Sequence, residues 1–272
     1  MVTLQPLSRR VASMERDVGS GSASSKIDSF RGKLTGAVVV ITGATWGLGS
    51  AIVRELGAGG ALVVVGHSGG SDVAQSLASS ARGAGAIGAC TVEADVADQI
   101  EARTLIESTV QAYGRVDLLV NIAAITPASV TAKRDEAWGI DVMADLACCL
   151  FPMKAALPYF SAQSGGAIVN VNAFAASPDE FGRACYRVAR RNLVTFTDQL
   201  AQKVSTDHVT ANCISPGFSE LSPGVRSPAP SRGAPATGFS VHDKVAHCVR
   251  YLCETGRQIT GKTISIEGGR YS

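Results

Sequence analysis

The sequence predicts a single α/β domain built on a doubly wound parallel sheet of about seven strands with helices on both faces. Three observations predict it. Runs such as VVVIT (38–42) and ALVVV (61–65) are apolar at consecutive positions, so both faces of each strand are buried, as a parallel sheet covered by helices requires. Between the runs lie stretches with apolar residues at helix spacing, so strands and helices alternate. A chain of 272 residues, 46% hydrophobic and 18% charged, is long enough for one large domain, and nothing in it suggests two.

Taken in order, residues 1–33 stand apart. LSRRVASMERD lacks the apolar stretch of a secretory signal, and VGSGSASSKIDS is a Gly/Ser-rich linker. Residues 1–33 therefore read as a flexible extension and 34–272 as the domain. The Arg and Ser content also fits an organelle transit peptide, against which Glu15 and Asp17 argue. Strands are expected at 38–42, 61–65, 88–96, 116–121, 167–171, 209–215 and 263–267. In IEARTLIESTVQAYG, Ala102, Leu105, Ile106, Thr109 and Tyr113 fall on one side of a helix. SPGVRSPAPSRGAPATG (222–238) has the composition of a mobile loop.

Charge and cysteine usage exclude several classes. The formal net charge is +2, and beyond the pairs Arg9–Arg10 and Arg190–Arg191 no Lys/Arg run tracks phosphates, which argues against nucleic acid. No run of about 18 apolar residues crosses a membrane. The 7 cysteines are odd in number and form no C-x-x-C, a pattern that suits reduced thiols and a cytoplasmic protein. His242 and His247 lack Cys or carboxylate partners at ligand spacing, so no metal site is expected.

The loop after the first strand reads TGATWGLG, Thr42 to Gly49, and leads into the helix SAIVREL. Gly43, Gly47 and Gly49 let the backbone turn tightly and approach a pyrophosphate, whose charge meets free N–H groups at a helix N-terminus. A tight strand–helix turn with no ligand is the plainer alternative. Its position after the first strand of an α/β sheet favours the phosphate cradle.

With this loop, ADV (94–96), LLVNIAA (118–124), SPGF (215–218) and ITGKTISIEGG (259–269), the chain resembles the short-chain dehydrogenase/reductase family from about residue 34 to its C-terminus. The resemblance implies a Rossmann-type fold and a nicotinamide dinucleotide site at Gly43, Thr45, Trp46, Gly47, Leu48, Gly49, Asp95, Val96, Asn121, Ala123, Pro216 and Gly217. Asp95 would hold the adenine. No acidic residue closes the second strand at VVVGHSGGS (63–71) to take the ribose 2′-OH of NAD. His67, Ser68 and Ser71 would instead accept a 2′-phosphate, which favours NADP(H); His67 reads equally well as a surface histidine. Trp46, Ala124 and Leu221 depart from the family around the cofactor.

The family's Asn-Ser-Tyr-Lys tetrad is altered here. Tyr186 matches the tyrosine, but Arg190 stands at the lysine position, Ala173 at the serine and Asp145 at the asparagine. Ala173 lacks the hydroxyl that would meet a developing oxyanion, and losing one such donor typically lowers the rate about a hundredfold or more. Arginine keeps the positive charge but cannot lose its proton. By resemblance the asparagine and lysine communicate through a water, so Asp145 and Arg190 are expected to lie close and form an ion pair that buttresses Tyr186. Asn172, beside Ala173, is expected to point to the other side of the strand end. Phe174, Phe181 and Phe218 are candidates for an apolar substrate wall, and 222–238 sits where the family has a substrate lid.

Three functions are compatible with these residues. The first is an NADP(H)-dependent oxidoreductase acting on an apolar small molecule of specialised-metabolism type. The second is a redox-neutral cyclase, isomerase or lyase using Tyr186, Arg190 and Asp145, and the third a non-catalytic subunit paired with an active relative. By resemblance, helices around 145–158 and 186–204 form a subunit interface, giving a homodimer, a homotetramer or a hetero-oligomer.

Overall fold

The computed structural model describes residues 34–45, 48–123, 138–163, 165–173, 180–216, 240–254 and 258–266, with backbone alone at 123, 138–145 and 180–186. The elements are β1 (Val38–Thr42), α1 (Gly49–Ala58), β2 (Leu62–His67), α2 (Ser71–Ala84), β3 (Gly88–Glu93), α3 (Gln99–Tyr113), β4 (Leu118–Ala123), α4 (Trp138–Ala162), β5 (Gly166–Asn172), α5 (Glu180–Val204), β6 (Val209–Pro216), α6 (Val241–Glu254) and β7 (Thr263–Ile266). All seven strands pair in parallel in the order β3-β2-β1-β4-β5-β6-β7. The expected fold class is the observed one.

Strand alternation sends side chains into two cores. Val39, Ile41, Val63, Val65, Val120 and Val169 pack with Ile52 and Leu56 of α1, Leu77 of α2 and Val249 of α6. Val40, Val64, Leu119 and Ile168 pack with Leu105 of α3, Met153 and Phe160 of α4 and Leu193 of α5. Three helices cover each face. Ala102, Leu105, Ile106 and Thr109 are buried as their spacing predicts.

Most strand limits shift by one to three residues from expectation, β4 running from Leu118 to Ala123 rather than over 116–121. β2 extends through Gly66 to His67, whose carbonyl accepts from the Ala94 amide at 2.8 Å. β3 stops at Glu93 because the chain then turns: the Asp95 amide donates to Glu101 Oε2 at 2.7 Å, and the Asp98 amide to the Asp95 carbonyl at 2.9 Å. Asp98 caps α3 by accepting from the amides of Ile100 and Glu101.

At the amino ends of β1 and β4, Asp117 is 1% exposed and accepts from the Val38 amide at 2.9 Å and from Arg115 Nε at 2.9 Å. That buried carboxylate locks β4 beside β1. No described helix is long and apolar enough to cross a membrane. Residues 1–33 and the loop 222–238 lie outside the described residues.

Candidate active site

Strand order reverses between β1 and β4, since the chain runs outward through β2 and β3 and returns to pair β4 with β1. The crevice at the carboxyl ends of these two strands is where such sheets take ligands. Gly43 makes the turn out of β1 with φ +69°, and a Cβ there would lie 2.1 Å from the Ile122 carbonyl of β4. A side chain is excluded both by backbone conformation and by space. Behind the turn, α1 begins with no side chain capping its N-terminus and no acid in its first turn. An anion at its first N–H groups therefore meets no carboxylate from that turn.

The residues expected to hold a cofactor divide into three groups. Gly43, Thr45, Leu48 and Gly49 form the turn into α1, where Leu48 is 1% exposed and its side chain belongs to the core, so it offers backbone only. Trp46 and Gly47 lie outside the described residues, as does Gly217. Asp95 is exposed in the loop after β3, its carboxylate accepting from the Ala97 amide at 3.0 Å, and Val96 beside it packs on the core. Ala123 ends β4, and Pro216 ends β6.

His67 is not a surface histidine: it is 7% exposed. Its Nδ1 lies 3.0 Å from the Gly69 carbonyl, which only accepts, so Nδ1 carries the hydrogen. Ser68 and Ser71 are exposed beside it. The acids nearby are Glu93, in register with His67 across β2 and β3, and Asp72 in the first turn of α2.

Asn121 has a different role from the one expected of a ligand-facing side chain. It is fully buried, accepts from Thr42 Oγ1 at 3.0 Å, and donates to Asn170 Oδ1 at 3.0 Å. Asn170 in turn donates to Thr197 Oγ1 at 2.9 Å, which donates to the Leu193 carbonyl at 2.6 Å. This chain of polar side chains ties β1, β4, β5 and α5 together beneath the crevice. The amide of Asn121 is engaged at both ends, which leaves only its backbone for a ligand.

The residues expected at the tetrad positions fall just after β5 and on α4 and α5. Tyr186 and Asp145 lie in helical backbone of α5 and α4, and their side chains are outside the described residues, as is the expected Asp145–Arg190 pair. Phe181 is likewise known only as α5 backbone, and Phe174 and Phe218 lie outside. Ala173 packs against the core shared with α1 and α6. Arg190 is half-buried, and its Nη2 donates to the Pro216 carbonyl at 3.1 Å. Its charge also reaches Cys213, whose thiol is pushed up to about 12 by burial, against the smaller opposing pull of Ser215 and Arg190. Cys213 is therefore a neutral, inert thiol.

Asn170, Thr197 and Ser215 are polar residues that sequence reasoning missed, as it did the partners of Asn172. A signal was present: VNVN places Asn170 and Asn172 on one face of a strand otherwise apolar on both. As expected, Asn172 turns to the face opposite Ala173, toward α5, where it donates to the Arg190 carbonyl at 3.1 Å.

A parallel sheet in this order, with a glycine turn at the switch point and an uncapped helix behind it, defines a doubly wound α/β protein with a ligand crevice across β1 and β4. The family described as short chain dehydrogenase matches residues 37–228, and the chain belongs to that family. It is similar to a 3-oxoacyl-(acyl-carrier-protein) reductase of Synechocystis sp., 29% identical over 243 residues covering 87% of this chain and 97% of the relative. The corresponding protein of Thermotoga maritima is 28% identical over 245 residues, covering 87% and 98%. Among solved structures, a hydroxysteroid dehydrogenase from Escherichia coli superposes with a TM-score of 0.72 at 19% identity, covering 89% of this chain and 98% of that one. At that identity the likeness speaks for the fold.

Proposed function

We propose that the chain is an NADP(H)-dependent oxidoreductase acting on an apolar small molecule, with a changed proton-transfer site. One observation carries the reading: the N-terminus of α1, free of side-chain caps and acids, stands behind Gly43 at the switch point of the sheet. These residues fit a dinucleotide. The turn from Gly43 through Thr45 to Leu48 and Gly49 would hold the pyrophosphate, Asp95 and Val96 the adenine, and His67 with Ser68 the 2′-phosphate. The backbones of Asn121, Ala123 and Pro216 would flank the nicotinamide half. When bound, the cofactor supplies or takes up a hydride.

The remaining chemistry belongs to the chain. Tyr186 is the proton donor, and Arg190 is a fixed positive charge that cannot relay a proton. Asp145 pairs with Arg190, and Ala173 leaves the oxyanion without the family's hydroxyl, which suits a substrate needing little carbonyl activation, such as an iminium. Phe174, Phe181 and Phe218 supply an apolar wall. The relatives named as 3-oxoacyl-(acyl-carrier-protein) reductases support carbonyl reduction as the parent chemistry.

The experiment is a fluorescence titration with NADPH and NADH. Tighter binding of NADPH is expected; equal or absent binding of both overturns the reading, and preference for NADH would assign Glu93, beside His67, to the ribose hydroxyl. A second reading, a redox-neutral cyclase, isomerase or lyase, is favoured by the contact of Arg190 with the Pro216 carbonyl, since that guanidinium is engaged with β6. NADPH binding without consumption of NADPH during turnover would select it. Binding without any turnover would leave a non-catalytic subunit.

A further inference from the structure

At the carboxyl ends of β5 and β6 lies a buried polar cluster centred on Asn172, which is 0% exposed. Its Nδ2 donates to the Arg190 carbonyl at 3.1 Å and to Ser215 Oγ at 3.4 Å. A carbonyl only accepts, so the first contact fixes which end of the amide is nitrogen. Oδ1 is then the atom left over, buried with no hydrogen-bond donor. A buried acceptor in that state is destabilising and offsets part of what the two donated bonds contribute.

Asn172 does fix a position. Among the described contacts, Asn172 of β5 holds the main chain of Arg190 and the Pro216 carbonyl of β6 its guanidinium, at 3.1 Å. Both contacts fall one helical turn after Tyr186 on α5. The amide links to Ser215, one residue before Pro216, so one side chain sets α5 against two strand ends.

We propose that Asn172 is a positioning residue, which holds the turn of α5 bearing Tyr186 and Arg190 in place and thereby sets how the nicotinamide half of the cofactor is seated. This rests on the cofactor reading above. The side chain touches neither cofactor nor substrate; it acts through Arg190.

The test uses the full chain with Asn172→Val, which keeps the volume but removes the donors, and Asn172→Ala, which separates a packing effect. Two ligands divide the site: NADPH, whose fluorescence enhancement on binding reports the seated nicotinamide, and 2′-phospho-ADP-ribose, which reports the adenine half alone. Both variants are expected to bind 2′-phospho-ADP-ribose like the parent chain, Asn172→Val with little change in melting temperature and Asn172→Ala with a lower one from the cavity it leaves. They should lose the NADPH enhancement and roughly tenfold of NADPH affinity. Unchanged NADPH binding and enhancement overturn the proposal, as does equal loss of both ligands together with a lower melting temperature, the mark of a purely structural residue. If the parent chain binds neither ligand, the cofactor reading fails by itself, and hydrogen exchange of α5 then decides the positioning role. Exchange over residues 186–194 about tenfold faster in Asn172→Val, with other elements unchanged, upholds it, whereas unchanged exchange there overturns it.

Discussion

At the scale of single residues, the proposed site places two residues of opposite charge, Asp145 and Arg190, at the positions of the family's neutral amide and lysine. If they pair, their energies are not additive. Arg190 is half-buried, so a coupling of about 1–3 kcal/mol is expected in a double-mutant cycle of Asp145→Asn and Arg190→Lys followed by urea denaturation. A lysine also fails to reproduce the planar reach of Arg190 to the Pro216 carbonyl. Additive losses in the cycle would show that the residues do not interact, and would make CYRVAR the remnant of a catalytic site. Tyr186→Phe removes only the phenolic hydroxyl. Turnover should fall below detection while circular dichroism and the melting temperature stay unchanged; retained turnover would move the proton donor elsewhere.

At the scale of elements, the crevice depends on β1 and β4 lying side by side in the correct register, and Asp117 fixes that register from the opposite end of the sheet. Its carboxylate is buried, bonded to the Val38 amide and clasped by Arg115. Asp117→Ala leaves the Val38 amide without this acceptor and the guanidinium of Arg115 without its counter-charge. A loss of about 3–5 kcal/mol is expected, measurable as a lower denaturant midpoint with unchanged slope. A loss below about 1 kcal/mol would mean that water replaces the carboxylate. Asp117 and the Thr42–Asn121–Asn170–Thr197 chain thus hold the sheet at opposite ends, and the second of these underlies the site.

For the whole molecule, buried thiols set a limit at high pH. Burial pushes Cys213 and Cys253 up to about 12, from an ordinary value of 9.0. Above pH 9 the unfolded chain releases these protons and the folded chain keeps them, so stability is full below pH 9 and falls as pH rises toward 12. Denaturation midpoints at pH 8 and 10.5 should show the fall, and Cys213→Ala with Cys253→Ala should flatten it; an equally steep limb in that variant would assign the effect to other groups. The outer face of α5 carries Val188 at 50% and Phe196 at 36% exposure, apolar groups that suit the proposed subunit interface. Sedimentation at micromolar concentration should therefore give a dimer or tetramer, and a monomer would contradict the assembly.

Fold and crevice were legible in the sequence because they follow from local rules. Strands apolar on both faces dictate a covered parallel sheet, and three glycines between a strand and a helix dictate a turn that leaves helix N–H groups open. What only the tertiary structure decided is the direction and satisfaction of polar side chains. His67 reads as surface or site with equal ease until β2 is seen to bury it, and Asn121 reads as ligand-facing until Thr42 and Asn170 are found at its two ends. Asn172 shows the limit most plainly. Its partners, Arg190 and Ser215, lie 18 and 43 residues away in sequence, and no periodicity encodes a contact whose geometry is set by how β5, β6 and α5 pack together.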